Sequence, residues 1–510
     1  MGDVMGKSHR IVFTGDYNTR SNSVNSLSSA SGIVGIGIVG VMIVGLSYRS
    51  SDKDRRFINC FPMTVKDSIK NEQTTYCVKR PGFALNNTPS AGDIGTAIHV
   101  WAGQGTGQKV ITAFGATNST IYDGTSSLGA ITGKATAITE TAISDVANLA
   151  ITSTDNTGWF YPDGGALTQI TDAQFPGDGG GLGLTLAGTF AHLQGWAFIM
   201  DSTGDIYNSD LNSLSAWTAG NLTPTDAIPD IGVGIIRHRN TIVAFCKSHF
   251  EVFRNAGNVL SPLGRIEELT QLIGCCSADA ITKISDTVFF AGTNKQGNIS
   301  IYAYDGCKAT PVSTPEIDQQ FVLAGPGNIF LSSMGFYGRN FVIVLASNTT
   351  YVYCIEEKNW HEWNSTTPLW YKTDGVSSGA TMVNYAITNL NTGGKVYVFN
   401  PSGSTYQDDS VAYSATVQME KMDFGSSKRK FFEQLDILSD QETSTSDLGI
   451  FWSDDDYQTF TSVSTVDLSA ERPFLMRLGS ARRRAFKLVH SANTPMRLGG
   501  MEVRISEGVT

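Results

Sequence analysis

Short apolar segments alternate with polar turns through most of the chain, and this pattern predicts an all-β protein. The recurring unit is an apolar strand, a turn of Gly, Asn, Thr and Ser, a second strand that ends in an aromatic residue, and a polar turn. "KVITAFGATNSTIYDG" (109–124) and "GWAFIMDSTGDIYNSD" (195–210) are two examples. Strand-length apolar runs between such turns are typical of β-strands, and long helical periodicity is almost absent.

The unit recurs seven times at a nearly constant spacing. The aromatic residues of the second strands lie 39 to 51 residues apart, and they are Tyr122, Tyr161, Tyr207, Phe253, Tyr304, Tyr353 and Phe399. A strand-rich repeat of this length is typical of a β-propeller, whose blades bury their faces only against one another. We therefore predict six or seven blades over residues 96–415, with one blade incomplete or closed by a strand from elsewhere. A large sandwich of unrelated hairpins is the alternative.

Both ends of the chain differ from the repeat region. Residues 1–54 form an N-terminal arm that includes "GIVGIGIVGVMIVGL" (32–46), which is too short and too rich in glycine for a membrane helix. We predict a buried or interfacial strand pair at 33–46, with a membrane-inserting segment as the alternative. Residues 55–95 form a hook, with "RRFINCFP" (55–62) and "RPGF" (80–83) as its fixed points. Residues 416–510 regain charge and strand-like alternation, which predicts a β-sandwich-like domain.

The charge of the chain is concentrated in its middle. The formal net charge is −10, and residues 96–415 carry 26 acidic against 14 basic residues. Tight binding of nucleic acid needs Lys and Arg to neutralise phosphates, so this composition argues against a DNA-gripping protein. It suits a surface that DNA slides past.

Motifs that would carry catalysis or bind metal are incomplete. "GDGGGLGLTLAG" (177–188) lacks the Lys of a phosphate-binding loop, and the seven His form no metal-binding spacing. "SDDDYQTF" (453–460) resembles an Asp-box hairpin in which Asp455 accepts backbone donors, with Tyr457 in place of Gly. A sialidase would need several such boxes at the blade period and an arginine cluster in the propeller. We therefore predict no enzymatic activity, no cofactor and no metal.

The seven cysteines do not fit a disulfide framework. Their number is odd, and their spacing matches no zinc site. Cys60 and Cys77 flank the hook and could pair. Free, buried thiols in a protein that is assembled in a reducing cytoplasm are the favoured interpretation.

An arginine-rich segment near the C terminus is the candidate interface. "RLGSARRRAF" (477–486) contains Arg477, Arg482 and Arg484. If residues 481–489 form a strand, Arg482 and Arg484 point to the same side and could bind the carboxylates of a partner. A solvated edge strand that is protected by its charges is the alternative.

Three segments give the chain a family resemblance. They are "FINCFP" with "YCVKRPGF" in the hook, "GIIRHRNTIVAFCKSHFEVFRNAG" (234–257), and "MRLGSARRRAFKLVHSANTPMRLGGMEVRI" (476–505). In order and spacing the chain resembles, from about residue 55 to its end, the packaged-DNA stabilisation proteins of short-tailed phages, also called tail nozzle or tail hub proteins. Residues 1–54 have no counterpart in this resemblance.

The resemblance implies a structural protein of the virion tail. Such a protein would form a homo-oligomeric ring, usually a hexamer, below the portal and its adaptor. It would line the DNA exit channel, retain packaged DNA, and dock tail fibres, spikes or a needle, with no catalysis. The length and glycines of 33–46 separately predict no stable membrane insertion. The hook would then fix the N-terminal segment to the propeller or to a neighbouring subunit. A propeller adhesin that binds a surface glycan is the alternative function.

Overall fold

The protein is described here by a computed structural model. The described residues are 7–13, 40–44, 56–66, 73–101, 108–143, 146–258, 260–294, 296–364, 370, 372–378, 381–389, 393–399 and 405–508. The chain divides into two compact units. Unit 1 contains residues 1–83, 353–366 and 401–510, and unit 2 contains residues 84–352 and 367–400.

Unit 2 is built from small antiparallel sheets that follow one another along the chain, and we number these sheets as blades. The strands of blades 1 to 3 are Gly95–Trp101, Lys109–Phe114, Ser119–Asp123 and Ser126–Ile131; Ala135–Ile143, Val146–Ser153, Gly158–Pro162 and Thr168–Gln169; and Leu186–Leu193, Trp196–Asp201, Asp205–Ser209 and Trp217–Pro224. In each of these sheets the strands pair in sequence order. A blade is therefore a meander with its first strand at one edge.

The remaining blades follow the same plan. The strands of blades 4 and 5 are Gly232–His238, Thr241–Cys246, Phe250–Asn255 and Leu263–Arg265, followed by Gly274–Cys275, Ile281–Ile284, Thr287–Thr293, Ile299–Tyr304 and Ala309–Pro311. Blade 6 contributes Ile329–Phe336, Arg339–Ala346 and Thr349–Cys354, and blade 7 contains Lys372–Ser378, Thr381–Ile387, Val396–Phe399 and Phe83–Asn87. The fourth strand of blade 7 thus comes from the N-terminal side of the propeller, so the predicted closure by a strand from elsewhere is confirmed.

The predicted propeller is confirmed, and it has seven blades. Six of the repeat aromatics lie on the third strand of their blade, and Tyr304 lies on the equivalent strand of blade 5, Ile299–Tyr304, which is the next-to-last of five. The first strands of blades 1 to 4 pack side by side, as do those of blades 6 and 7, and the first strand of blade 7 packs against that of blade 1. In blade 5 the strand Ile281–Ile284 packs against the first strand of blade 6. Apolar clusters fill the spaces between consecutive blades, for example around Trp101 and Leu149 between blades 1 and 2. The spacing of 39 to 51 residues therefore reflects one aromatic residue per blade at an equivalent position.

The α-helix Pro315–Ala324 connects blades 5 and 6. Its start is set by Pro315 at the first helical position, and Gly325 follows its last residue with a φ of 82°. Ile317 and Phe321 are buried, which places one face of the helix on the propeller unit. Short 3₁₀ segments in the described ranges are Glu267–Leu269, Ala278–Ala280 and Pro326–Asn328.

Unit 1 is a β-sandwich, as the sequence predicts for the C-terminal region. In its first sheet the order is Gly40–Val44, Lys7–Phe13, Arg497–Glu507, Lys430–Ser439 and Phe474–Met476, with Cys60–Lys66, Gln73–Lys79 and Ser480–Ala481 attached to these strands. In its second sheet the order is Asn359–Trp363, Arg56–Ile58, Ala415–Gln418, Ala485–His490, Asp447–Ser453 and Thr461–Asp467. A two-stranded ribbon is formed by Gln407–Asp408 and Val411–Ala412. Alternate side chains of both sheets, such as Leu435 and Leu488, form one apolar core.

The apolar segment 33–46 lies mostly outside the described residues. Gly40–Val44 forms a strand that pairs in parallel with Lys7–Phe13. The prediction of a strand is confirmed for these five residues, and the rest of the predicted pair lies outside the description. In the described part of the chain, no helix has the length and hydrophobicity that a membrane span requires.

Candidate functional site

Asn59 is the point at which the hook passes from one sheet of unit 1 to the other. It lies between Arg56–Ile58 of the second sheet and Cys60–Lys66 of the first, with a φ of 54° that Asn tolerates better than most residues. Its side-chain amide donates to the carbonyl oxygens of Asn364 and Ser414. The hook is therefore fixed at a sharp turn by a side chain that replaces missing backbone partners.

Arg80 is the centre of the second fixed point of the hook. Its guanidinium is fully buried and binds both carboxylate oxygens of the equally buried Asp408, at 3.0 and 2.5 Å. Its Nε donates to Asn59 Oδ1 at 3.0 Å, and its charge lies 4.0 Å from the ring centre of Tyr413. The glycine that follows in "RPGF" is explained by close packing beside this network. A Cβ on Gly82 would lie 2.0 Å from the carbonyl oxygen of Gln407, the residue before Asp408. The hook is thus a buried clasp within unit 1.

Lys79 brings a second positive charge into the clasp. Its ammonium donates to the carbonyl oxygen of Ala492 at 2.7 Å and lies 3.3 Å from His490 Nδ1. Burial, together with the charge of Arg80, lowers the pKa of Lys79 to about 7. Burial and Lys79 in turn lower the pKa of His490 to about 3, so this imidazole is neutral. The "KR" pair of the hook is therefore structural.

The seven cysteines are free in the structure, and all except Cys307 are buried. No disulfide joins Cys60 and Cys77, although they are diagonal neighbours on adjacent strands, with Cys60 opposite Lys79 and Cys77 opposite Pro62. The Cys60 thiol instead donates to the carbonyl oxygen of Thr416 at 3.3 Å. The interpretation as free, buried thiols is confirmed for six of the seven.

The predicted arginine face is wrong in its geometry, because Arg484 is buried. The strand begins at Ala485, and residues 482–483 form a bend after Ser480–Ala481. The Arg484 guanidinium donates to both oxygens of Asp454, at 2.8 and 2.7 Å, and lies between the rings of Phe432 and Trp452. Arg482 is exposed. The two side chains therefore share no face, since the alternation of a continuous strand does not apply across a bend.

A buried lysine holds this bend in place. Lys430 donates through Nζ to three carbonyl oxygens, those of Ser426, Lys428 and Arg482. Arg482 and Arg483 consequently point into solvent, and Arg477 is exposed on the neighbouring turn with a φ of 61°. The role of Arg477 and Arg482 as interface residues remains a prediction. The fixing role of Lys430 could not be read from the sequence, because a lysine in "SSKRKFF" is normally solvated.

The Asp-box-like hairpin forms as its sequence predicts. Asp455 accepts hydrogen bonds from the backbone N–H of Thr459 and from the hydroxyls of Thr459 and Ser453. The hydrogen bonds from Thr459 hold the pKa of Asp455 at about 2. Tyr457 occupies the glycine position with a φ of 67°, and its hydroxyl accepts a hydrogen bond from the backbone N–H of Lys421. The preceding Asp454 binds Arg484, so the hairpin supports the sandwich.

The first strands of six blades, together with residues 278–283 of blade 5, surround a cavity of about 770 Å³ in unit 2. Its charged groups are mostly paired. Lys372 of blade 7 binds Asp279 at 2.9 Å and donates to the carbonyl oxygen of Thr136 in blade 2. Threonine hydroxyls form further contacts, such as the 2.5 Å hydrogen bond between Thr139 and Thr189. The cavity lining therefore ties neighbouring blades together.

His99 links three blades at the rim of this cavity. Its Nδ1 lies 3.0 Å from Asp374 of blade 7, and its Nε2 lies 3.9 Å from Glu140 of blade 2. Burial alone would lower the pKa of His99, but the hydrogen bond to Asp374 and the proximity of Glu140 raise it to about 9. The Asp374 carboxylate also accepts from the backbone N–H of Val100. A protonated His99 thus joins the last blade to the first two.

We expect the contribution of His99 to stability to depend on pH. Its pKa in the folded protein, about 9, lies above the ordinary value of 6.5. The stabilisation is therefore complete below pH 6.5 and is lost as the pH rises through 9. The melting temperatures of the parent protein and of His99→Gln should differ most near pH 6.5 and converge above pH 9. A difference that stays constant over this range would contradict the ion-pair assignment.

The described ranges contain no cluster of His, Cys, Asp or Glu side chains that could hold a metal ion. The seven His are distributed over separate elements, as the sequence indicates. His249, for example, is fully buried in blade 4 between Asp230 and Glu251. Its environment is that of a buried structural ion cluster, without access for a substrate.

Comparison with solved structures shows only a general likeness of fold. Raptor of Chaetomium thermophilum matches with a TM-score of 0.40 and 12% identity, over 63% of this chain and 29% of its own. BBS1N in a complex with ARL6DN matches with a TM-score of 0.40 and 12% identity, over 63% of this chain and 98% of its own. BamB of Moraxella catarrhalis matches with a TM-score of 0.36 and 10% identity, over 64% of this chain and 90% of its own. This chain spans less than a third of the Raptor chain. No curated protein sequence matches the chain.

The fold defines the class of protein as a β-propeller that carries a β-sandwich unit in the same chain. The family model described as "Bacteriophage P22 Gp10, beta-propeller" matches residues 49–420. The chain therefore belongs to this family, the phage stabilisation or tail nozzle proteins. It is a phage structural protein of a family found in the virion tail, which normally has no enzymatic role.

Proposed function

We propose that copies of this chain form a ring-shaped tail nozzle below the portal and its adaptor. The ring lines the DNA exit channel, retains packaged DNA until ejection, and docks fibres, spikes or a needle. The observation that carries the proposal is the family match over residues 49–420. The ring is proposed as a hexamer, assembled in the host cytoplasm and then built into the virion tail.

The charge distribution supports a passage function. Residues 96–415 carry 26 acidic against 14 basic residues. Firm binding of duplex DNA needs many Lys and Arg contacts to phosphate, each of which would hold the DNA back. An acidic or neutral wall repels phosphate, so DNA passes with little adhesion once the exit is open. Retention before ejection then requires a physical closure of the tail rather than affinity for DNA.

The cavity of the propeller is not proposed as this passage. It lies within one chain, and its lining is occupied by ion pairs such as Lys372 with Asp279. A duplex would need a wider opening, which a ring of several copies provides between its subunits. Catalysis is no part of the proposal.

The proposal is tested by removing the gene from the phage that encodes this chain. Particles without the protein should package DNA and then lose it. The measurement is the fraction of DNA-filled heads in a density gradient, together with the fraction of particle DNA that is accessible to nuclease. Supplying the parent gene from a plasmid is the control. Particles that lack the protein but keep their DNA, and fail only to attach to cells, would contradict the retention function.

A further inference from the structure

An exposed apolar patch lies on the outer face of the first sheet of unit 1. Phe474 and Met476 are 46% and 62% exposed, and Phe431 is 51% exposed. The register explains this arrangement. Leu475 lies opposite Leu435, which belongs to the core, so the alternation of the strand turns Phe474 and Met476 outward. The strand Phe474–Met476 is also the edge of the sheet.

Arginines that are not engaged in ion pairs border this patch. Arg477 follows Met476 directly, and Arg482 and Arg483 lie on the bend that Lys430 holds. For these three arginines, the described part of the chain offers no ion-pair partner, whereas the nearby Arg484 is buried against Asp454. Aromatic residues, Met and Arg are the residue types enriched at protein interfaces, and an apolar patch with a polar rim is typical of a docking site.

A surface of opposite charge lies on blade 4 of unit 2. The single guanidinium of Arg265 contacts three carboxylates, those of Asp226, Glu251 and Glu267. Glu267 and Glu268 are exposed on the turn that follows Leu263–Arg265, so the cluster keeps an excess of negative charge. Leu272, a few residues further on, is 65% exposed. The turn therefore offers carboxylates beside an apolar side chain.

We propose that the arginine edge of unit 1, defined as Phe431, Phe474, Met476, Arg477 and Arg482, binds the acidic turn 266–272 of a second copy of this chain. The inference rests on the proposed function, because it names the two surfaces through which the ring closes. Both surfaces carry an apolar anchor, and their charges are opposite. Because the two surfaces are different, each copy can bind one neighbour with each, and such head-to-tail contacts form a ring when the rotation closes.

The test is a charge exchange between the two surfaces. Arg477→Glu with Arg482→Glu should weaken self-assembly roughly a hundredfold, because like charges then face each other across the interface. Adding Glu267→Arg and Glu268→Arg to the same chain should restore assembly, because opposite charges then face each other again at every contact, with their signs exchanged. The measurement is sedimentation velocity of the purified protein over a range of concentrations. Parent assembly should also weaken with salt, as expected for exposed charges.

A matched control changes the net charge by the same amount elsewhere. Arg239→Glu with Arg254→Glu alters two exposed arginines of unit 2, and its assembly should equal that of the parent. Circular dichroism should show that all variants are folded, because the substituted side chains are exposed. The inference is overturned if Arg477→Glu with Arg482→Glu assembles like the parent, or if the charge exchange restores nothing. If the parent protein stays monomeric in solution and its copies form no ring in isolated tails, the proposed ring itself is contradicted.

Discussion

Arg80→Ala is expected to lower the free energy of unfolding of unit 1 by roughly 3–5 kcal/mol, the usual cost of breaking a buried ion pair by removal of one partner. The guanidinium and the Asp408 carboxylate are both fully buried, so the substitution leaves a desolvated negative charge without its counterion. Native domains are stable by only about 5–15 kcal/mol, so the loss is a large part of the total. The measurement is urea denaturation of the parent and the variant.

The pair is separated from simple loss of packing by a double-mutant cycle. Asp408→Ala should be similarly costly, and the double variant should cost much less than the sum of the two single variants, because neither charge is then left alone. Arg483→Ala is the matched control, since its side chain is exposed and its effect should stay within about 0.5 kcal/mol. Additive effects of the two single substitutions would show that the ion pair does not hold the clasp.

Arg484→Ala is expected to lower the free energy of unfolding by about 2–3 kcal/mol, the value of hydrogen bonds to a charged group together with lost packing. Arg484 binds both oxygens of Asp454, donates to the carbonyl oxygen of Leu478, and lies against Phe432 and Trp452. Asp454 is partly exposed, so its charge can be hydrated after the change, which keeps the cost below that of Arg80→Ala.

Arg482→Ala is the matched control for Arg484→Ala, because the two residues are two positions apart in the same arginine run. Arg482 is exposed, and its backbone carbonyl rather than its side chain holds the bend. Thermal unfolding should therefore separate the two variants clearly. Equal melting temperatures of the two variants would mean that the buried guanidinium of Arg484 does not stabilise the fold.

The fold of the propeller could be predicted from the sequence because each blade repeats one aromatic residue on an equivalent strand, buried or half-buried. Tyr207 and Phe253, for example, occupy the same third-strand position in consecutive blades, and their spacing is set by the four strands that each blade needs. For the closing strand Phe83–Asn87, the sequence predicts only that one blade lacks an element or takes it from elsewhere. Its identity could not be predicted, since a fourth strand of ordinary composition carries no period.

In unit 1, local sequence patterns do not predict which residues form the buried ion pairs. Asp408 lies 328 residues from Arg80, and no local pattern connects the two. The face shared by Arg482 and Arg484 was inferred from strand alternation, which fails where two residues bend out of the strand. The partner of Arg484 does lie in a recognisable motif, because Asp454 belongs to the Asp-box-like hairpin. Burial of long-range ion pairs is decided by tertiary packing.

Cryo-electron microscopy of the assembled tail tests the central claim most directly. The account predicts a closed ring of copies of this chain, coaxial with the portal and directly below its adaptor, in which each copy shows a seven-bladed propeller and a β-sandwich. Antibody or tag labelling of the chain identifies its density independently. Density for single, separated copies at the tips of fibres, with no ring around the DNA path, would contradict the account and favour an adhesin.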